Sequence, residues 1–453
     1  MTRILIPSGA LGLGFDRAAL ARGVANKPDL IAIDGGSTDS GPSYLGRGVS
    51  KYSRAATKAE WAELMAARAA AGVPLVIGTA GTCGAGDAVD WLTQITEDVL
   101  RETGTTARIA VLKSDQPAER LLRAQAAGRL RPLSPAWEVT PELLAECTNI
   151  VALAGAEQIN AALATGADIV IAGRTTDTAI IAALPLSRGD HAGAAWHGAK
   201  IGECGALCAT NPQTGVLQID FDASGFTVTP LAEGSRATPH TVSAHMLYEN
   251  ADPFTLFEPG GHLHVSAARY TAVDDRRVRA EGAVWHPSDD YTVKLEGARI
   301  TGYQTVLLAL VRDARYVAHI DPWCTDIRHR CTAKAAARLG LAEGSFAIEL
   351  RQIGQDATLG ALETRSGNAA EIGVLGIVTA PTQDLADEIG KLLNPYLLHH
   401  PLTPEEEQPT FAFPFSPAEI PRGPDYAFCL NHLLVLDDPM AAFALTVRDV
   451  VHA

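Results

Sequence analysis

Carboxylates recur in this chain where apolar runs break into glycine. The segment LIAIDGGSTDSGPSYLG sets Asp34 and Asp39 on either side of Gly35, Gly36, Ser37 and Thr38, ADIVIAGRTTDTA puts Asp177 just after Arg174, and IGECGA puts Glu203 between glycines. A carboxylate beside a flexible polar loop can give up or accept a proton, or bind a hard cation such as Mg²⁺. VPLVIGTAGTCGAG supplies Thr79, Gly81 and Thr82, a run whose backbone N–H groups can converge on an anion, and the Arg174 fork suits a substrate carboxylate. His240 follows Thr238-Pro239 at the head of a helical segment and can point toward such a site. Farther along, YTVKLEGA places Lys294 and Glu296 on one side of a strand, and Tyr303 in GYQT extends that polar set.

Plainer uses compete with each reading. Glycine follows strands because turns require it, Asp177 suits a helix cap, and Lys294 with Glu296 suits a surface ion pair. Cys204 and Cys208 lack a second pair, so structural zinc is not expected. Cys83 reads as a small buried thiol, and His262 and His264 as one polar face of a strand. No G-x-S-x-G, P-loop or H-E-x-x-H motif occurs.

The elements that must hold these loops follow one grammar through the first half: apolar strand, glycine turn, amphipathic helix. RILIPSG, DLIAIDGG, VPLVIGTAG, ARIAVLKS, NIVALAG and ADIVIAGRTTD are strands apolar on both faces. Helical patterns alternate with them; the one over TKAEWAELMAARAAAG has Thr57 and Glu60 at capping-box spacing and Gly72 as its stop. This predicts an α/β domain over 1–215 with a doubly wound, mostly parallel sheet, whose ligands bind at the carboxyl ends of the strands. From 216 to 400 the period-two runs LQIDFD, FTVTPL, HLHVSAARYTAV and YTVKLEGARI predict a second, α+β domain. Residues 401–425 are Pro-rich and acidic and read as a linker, and 426–453 as a segment that docks elsewhere.

Composition narrows the class. At 453 residues the chain is long for one core, and its net charge of −15 disfavours nucleic acid or an anionic membrane as partner. No apolar run long enough for a membrane span appears, and MTRILIPSGALGLGFD reads as a first strand and glycine loop, not a signal peptide. An odd number of scattered cysteines, 7, fits reduced thiols in a cytoplasm.

Taken together, DLIAIDGGSTDSGPSYLG, VPLVIGTAGTCGAG, GADIVIAGRTTDTA, IGECGA, SRATPHTVSAHMLYENADPFTLFEPGG and YTVKLEGARITGYQT resemble the acyclic terpene utilisation AtuA-like family over about residues 1–395. The NHLLVLDDP region of the tail resembles a shortened form of that family's small ferredoxin-fold partner, fused here to the main chain. The resemblance implies a catabolic setting and brings no catalytic set with it.

The expectation is a cytosolic catabolic enzyme using acid/base chemistry on a small carboxylate or acyl-CoA, with a lyase or hydratase favoured. Asp34 or Asp39 serves as base, with Asp177 and Glu203 in the same set. The 78–86 loop, Gly35, Gly36, Ser37, Thr38, Arg174 and His240 bind substrate, and Lys294 or Tyr303 polarises it. This reading leaves the cofactor open, between none and a divalent cation. The alternatives are a metal-assisted hydrolase with a divalent cation on Asp34, Asp39 and Asp177, and a non-catalytic subunit that binds a metabolite or organises a pathway. A homo-oligomer is expected over a monomer.

Overall fold

A computed structural model describes residues 1–212, 215–342, 344–365, 367 and 369–450. The chain divides into two compact units, Met1–Arg299 with Phe428–Ala453, and Ile300–Ala427.

The first unit is built on a ten-stranded sheet. Its central run is parallel: Thr2–Ile6 pairs with Leu30–Asp34, then Leu75–Gly78, then Ile169–Ala172, then Ala107–Lys113. These strands are apolar at successive positions because helices cover both faces. Leu30 and Ala32 pack into one core with Ile4, Ile6 and Val76, whereas Ile31 and Ile33 pack into the other with Leu5, Leu75 and Ile77. That alternation is the two-residue period of a strand read out in burial.

Arg54–Ala71 and Gly86–Thr103 are the long helices of one face, stopped by Gly72 and Gly104 in left-handed conformation. The first begins a turn earlier than its sequence suggests. Ser53 caps it by accepting from the Ala56 N–H, and Thr57 is buried on its inner face. On the other face, Ala192–Gly202 is buried along nearly its whole length.

Antiparallel strands extend the sheet at both ends. Leu217–Phe221 pairs with Thr2–Ile6, followed outward by Gly225–Pro230, Val278–Glu281 and Arg269–Ala272. At the opposite edge Ala444–Val450, from the chain's tail, pairs with Ala107–Lys113. A separate three-stranded sheet joins Thr255–Glu258, Gly261–His264 and Val284–Pro287.

In the second unit, the stretch 303–311 pairs antiparallel with Ile372–Ala380, which pairs with Ala347–Ile353. Helices Ile320–Leu339 and Gln383–His399 supply Trp323, Ile327, Ile389 and Leu393 to its core. The observed class is the expected α/β with further antiparallel sheets, and the large sheet is mixed, parallel at its centre and antiparallel at both ends. The division differs from the expected boundary at 215. Strands within 217–281 lengthen the first sheet, and the boundary falls inside the strand Tyr291–Val311. Among the described residues no helix is long and apolar enough to cross a membrane.

Candidate active site

Because the central strands are parallel, their carboxyl ends lie along one edge, and the loops that leave them must meet there. A cavity of about 540 Å³ opens at that edge. Ser8 and Gly9 reach it after the first strand, Asp34, Gly36, Ser37 and Asp39 after the second, Thr82 after the third, and Asp177 after Ile169–Ala172. The buried helix Ala192–Gly202 adds Glu203 and Cys204 at its end. All four carboxylates of the sequence analysis thus share one lining, although Glu203 follows a helix and not a strand.

The loops interlock through backbone. Thr79 donates to the Gly173 carbonyl at 2.8 Å, Ala80 to Ala172 at 3.0 Å, and Thr82 to Gly35 at 3.0 Å. Thr79 and Thr82 adopt φ of 48° and 77°, a region costly for β-branched residues, of order 1–3 kcal/mol each. Gly84, at φ +66°, lies so near the next loop that a Cβ there would fall 2.1 Å from the Arg174 nitrogen. Gly84→Ala is therefore expected to destabilise the protein by roughly 2–4 kcal/mol through backbone strain and overpacking. Chemical denaturation of the variant beside wild type measures it, and a loss below about 1 kcal/mol contradicts the close approach.

The two aspartates that flank the first loop separate in character. Asp34 ends a fully buried strand, is 5 % exposed, and its Oδ1 is buried with no hydrogen-bond partner. Burial pushes its carboxyl well above the usual range; Asp177 adds to the shift, while Arg174 and the Gly35 and Gly36 amides oppose it. Asp39 is exposed at the mouth, its carboxylate bonded by the Ser37 hydroxyl at the start of a 3₁₀ turn. Asp177 is half-buried and also raised, first by burial and then by Asp39 and Glu249, against Arg174 and Lys200. Glu203 is pushed up to about 8 by burial, opposed by its ion pair with Lys200.

Arg174 does not serve as a free anion clamp. It is 6 % exposed and spends its guanidinium on the chain. Nε meets Glu296 at 3.1 Å, one Nη meets the Thr175 carbonyl and Thr79 Oγ1 at 3.1 and 3.3 Å, and the other meets Thr38 Oγ1 at 3.3 Å. Thr38 in turn donates to Glu296 at 3.0 Å. Burial works against the charge of Arg174, but Glu296, Asp177 and Asp34 outweigh it and hold the guanidinium ionised.

The amides of the 78–86 loop are largely spent as well, on neighbouring loops and, for Gly86, on Asp115 at 2.8 Å. Gly35 donates to Gly78, and Gly81 backs onto Ala88. Lys294 lines two other cavities and pairs with Glu296 at 3.8 Å. His240 is exposed on the short helix Pro239–Ala244, outside the described lining of the acidic cavity. Tyr303 belongs to the second unit, on a strand opposite Ala380.

Sequence reasoning passed over several lining groups. Lys51 and Tyr52 come from the segment before Arg54–Ala71, and Tyr248 and Glu249 from the turn after Pro239–Ala244. Leu13 and Leu207 line the cavity although they are 58 % and 45 % exposed, giving it an apolar rim. The signal for the 248–249 turn was present in TPHTVSAHMLYEN, one of the family-like motifs, without a catalytic pattern to mark it.

A second cavity of the same unit, about 780 Å³, holds Glu258. Its Oε1 accepts from Thr178 at 2.5 Å, its Oε2 is buried without a partner, and burial pushes the carboxyl up to about 7. A carboxyl whose folded value exceeds its unfolded one makes stability fall as pH rises from the ordinary range to that value. Glu258→Gln keeps an acceptor for Thr178 and removes that slope. The variant is expected to match wild type near pH 4 and exceed it by up to about 3 kcal/mol at pH 8. Denaturation at both values tests this; equal stability at pH 8 contradicts it.

The family model described as acyclic terpene utilisation family protein AtuA matches residues 51–410 of this chain. The match takes in Asp177, Glu203, Arg174 and Glu296, while Asp34, Asp39 and the tail strands lie outside it. No curated protein and no solved structure matches the chain.

Proposed function

Because the chain belongs to the acyclic terpene utilisation family AtuA, we propose that this cavity moves protons on a small oxygenated acyclic terpenoid, in a lyase or hydratase reaction. The family's setting is catabolic. The observation that carries the reading is Asp34, a carboxyl at the closed end of a buried strand with one oxygen unpartnered, lining a cavity that opens outward. Burial and then the Asp177 charge push the Asp34 carboxyl up, and burial pushes Asp177 up as well, so the two are set to ionise less readily than isolated aspartates.

Such a pair supplies an acid and a base from one site. The ionised member removes a proton from the carbon next to a carbonyl. The neutral member protonates a β-hydroxyl, which leaves as water as the C–O bond breaks and the C=C bond forms. The reverse sequence adds water. No electron leaves or enters, so no oxidant is needed.

Leu13, Leu207 and Ala10 suit a branched hydrocarbon chain. Lys51 is the one basic residue in the described lining, which also holds Asp34, Asp39, Asp177, Glu203 and Glu249. That balance favours a carbonyl or hydroxyl head over the polyanionic end of an acyl-CoA.

The test is incubation in deuterated water with acyclic terpenoid aldehydes, hydroxy acids, enoic acids and their thioesters. Wild type is expected to incorporate deuterium beside the carbonyl and to gain or lose water, and Asp34→Asn to do neither. Absence of exchange and of water transfer across the whole set overturns the proposal.

A further inference from the structure

Beside the acid pair, the end of the buried helix Ala192–Gly202 and the turn His245–Leu247 bring together a set of unlike ligands. A carboxylate oxygen of Glu203, the Cys204 sulfur and an imidazole nitrogen of His245 all lie within 4.8 Å of one another. Ligands around a tetrahedral zinc stand about 3.5 Å apart, given metal–ligand bonds of about 2.0–2.3 Å, so rotamer adjustment of about an ångström closes the set. Among the described residues no other group of three comes so close, and Asp34, Asp39 and Asp177 do not form one.

His245 supplies an independent observation. It is 5 % exposed, and its Nε2 is buried with no hydrogen-bond partner. An unmet imidazole nitrogen in the interior costs of order 1–3 kcal/mol unless something binds it. The ring stacks on Tyr248, with centroids 5.4 Å apart and planes 17° from parallel. Lys200 bonds Oε1 of Glu203, and no bond from the described residues reaches Oε2.

We infer that Glu203, Cys204 and His245 form a site for a borderline divalent cation, of which zinc is the type. One nitrogen, one sulfur and one oxygen suit zinc and select against Mg²⁺ and Ca²⁺, which take oxygen alone. Glu203 and Cys204 also line the acidic cavity, so the fourth position faces its interior, the arrangement of a metal that meets substrate. On binding, the Cys204 thiol gives its proton to solvent and ligates as thiolate. The site goes beyond the acid–base reading of Asp34 and does not depend on it.

Cobalt titration of the chelator-treated full chain tests the inference without substrate. One Co²⁺ per chain is expected, with a near-ultraviolet thiolate-to-cobalt charge-transfer band that Zn²⁺ abolishes. Cys204→Ser removes the band, His245→Gln weakens affinity at least about tenfold, and Cys208→Ala, a buried thiol outside the set, keeps both. The inference is overturned if wild type gives no thiolate band, if Cys204→Ser retains it, or if His245→Gln binds as tightly as wild type. Because the band is read on the unmodified protein, a variant that fails to fold does not shield the idea.

Discussion

Asp34→Asn is expected to leave a folded protein whose turnover falls by about 10²–10⁴, the usual contribution of a positioned acid or base. The substitution preserves shape at the end of Leu30–Asp34, so the strand's pairing with Leu75–Gly78 and the packing of Ile31 and Ile33 are untouched. What it removes is a carboxyl that burial pushes well above the usual range. Stability at pH 8 is expected to hold or rise, since ionising a buried carboxyl no longer burdens the native state. Asp39→Asn, at the exposed mouth, is expected to cost less than tenfold, because its carboxylate serves the 3₁₀ turn and remains solvated. Turnover within a few-fold of wild type in Asp34→Asn contradicts the assignment.

The largest effect on stability is expected at Arg174. Its side chain and that of Glu296 are 7 % and 10 % exposed, and they meet at 3.1 Å with Thr38 bridging both. Arg174→Met strands Glu296 in the interior and removes the charge that opposes the raised carboxyls of Asp177 and Asp34, a loss of about 3–5 kcal/mol. The penalty depends on pH with a definite sign. Burial alone would raise the Glu296 carboxyl, yet Arg174 holds it below its ordinary value, so the pair's contribution is present above the unfolded value and fades in acid. Without the guanidinium, Glu296 must bind a proton to stay buried. The destabilisation is therefore greater at pH 8 than at pH 5. The double variant Arg174→Met with Glu296→Leu is expected to recover part of the loss, since replacing a whole buried pair by apolar groups is far milder than halving it. Denaturant unfolding at the two pH values decides; a loss under about 1 kcal/mol, or one that shrinks as pH rises, contradicts the account.

The parallel core was legible because its strands are apolar at consecutive positions, a pattern that only a sheet covered on both faces produces. Strand-end loops follow from that topology, and Asp34, Asp39 and Asp177 could be grouped from sequence for that reason; Glu203 joins them from the end of the helix Ala192–Gly202. The boundary was harder. LQIDFD and FTVTPL alternate with period two whether they extend an existing sheet or found a new one, and nothing local says which. Arg174 was read as an anion clamp because its partner is 122 residues away, on a strand whose carboxylate looked like half of a surface pair with Lys294. His245 carries no periodic signal at all. Its meaning arises only when the turn after Pro239–Ala244 sets it beside Glu203 and Cys204.

The central claim is that Asp34 keeps its carboxyl proton above the pH at which ordinary aspartates lose theirs, in a cavity proposed to transfer protons. Isotope-edited infrared spectroscopy of aspartate-labelled protein reads that proton directly. As pH rises through the range where ordinary aspartates ionise, a protonated-carboxyl stretch is expected to persist in wild type and to be missing from the Asp34→Asn spectrum. A wild-type spectrum in which every aspartate ionises over the ordinary range, or a persisting protonated band that Asp34→Asn leaves in place, would contradict it.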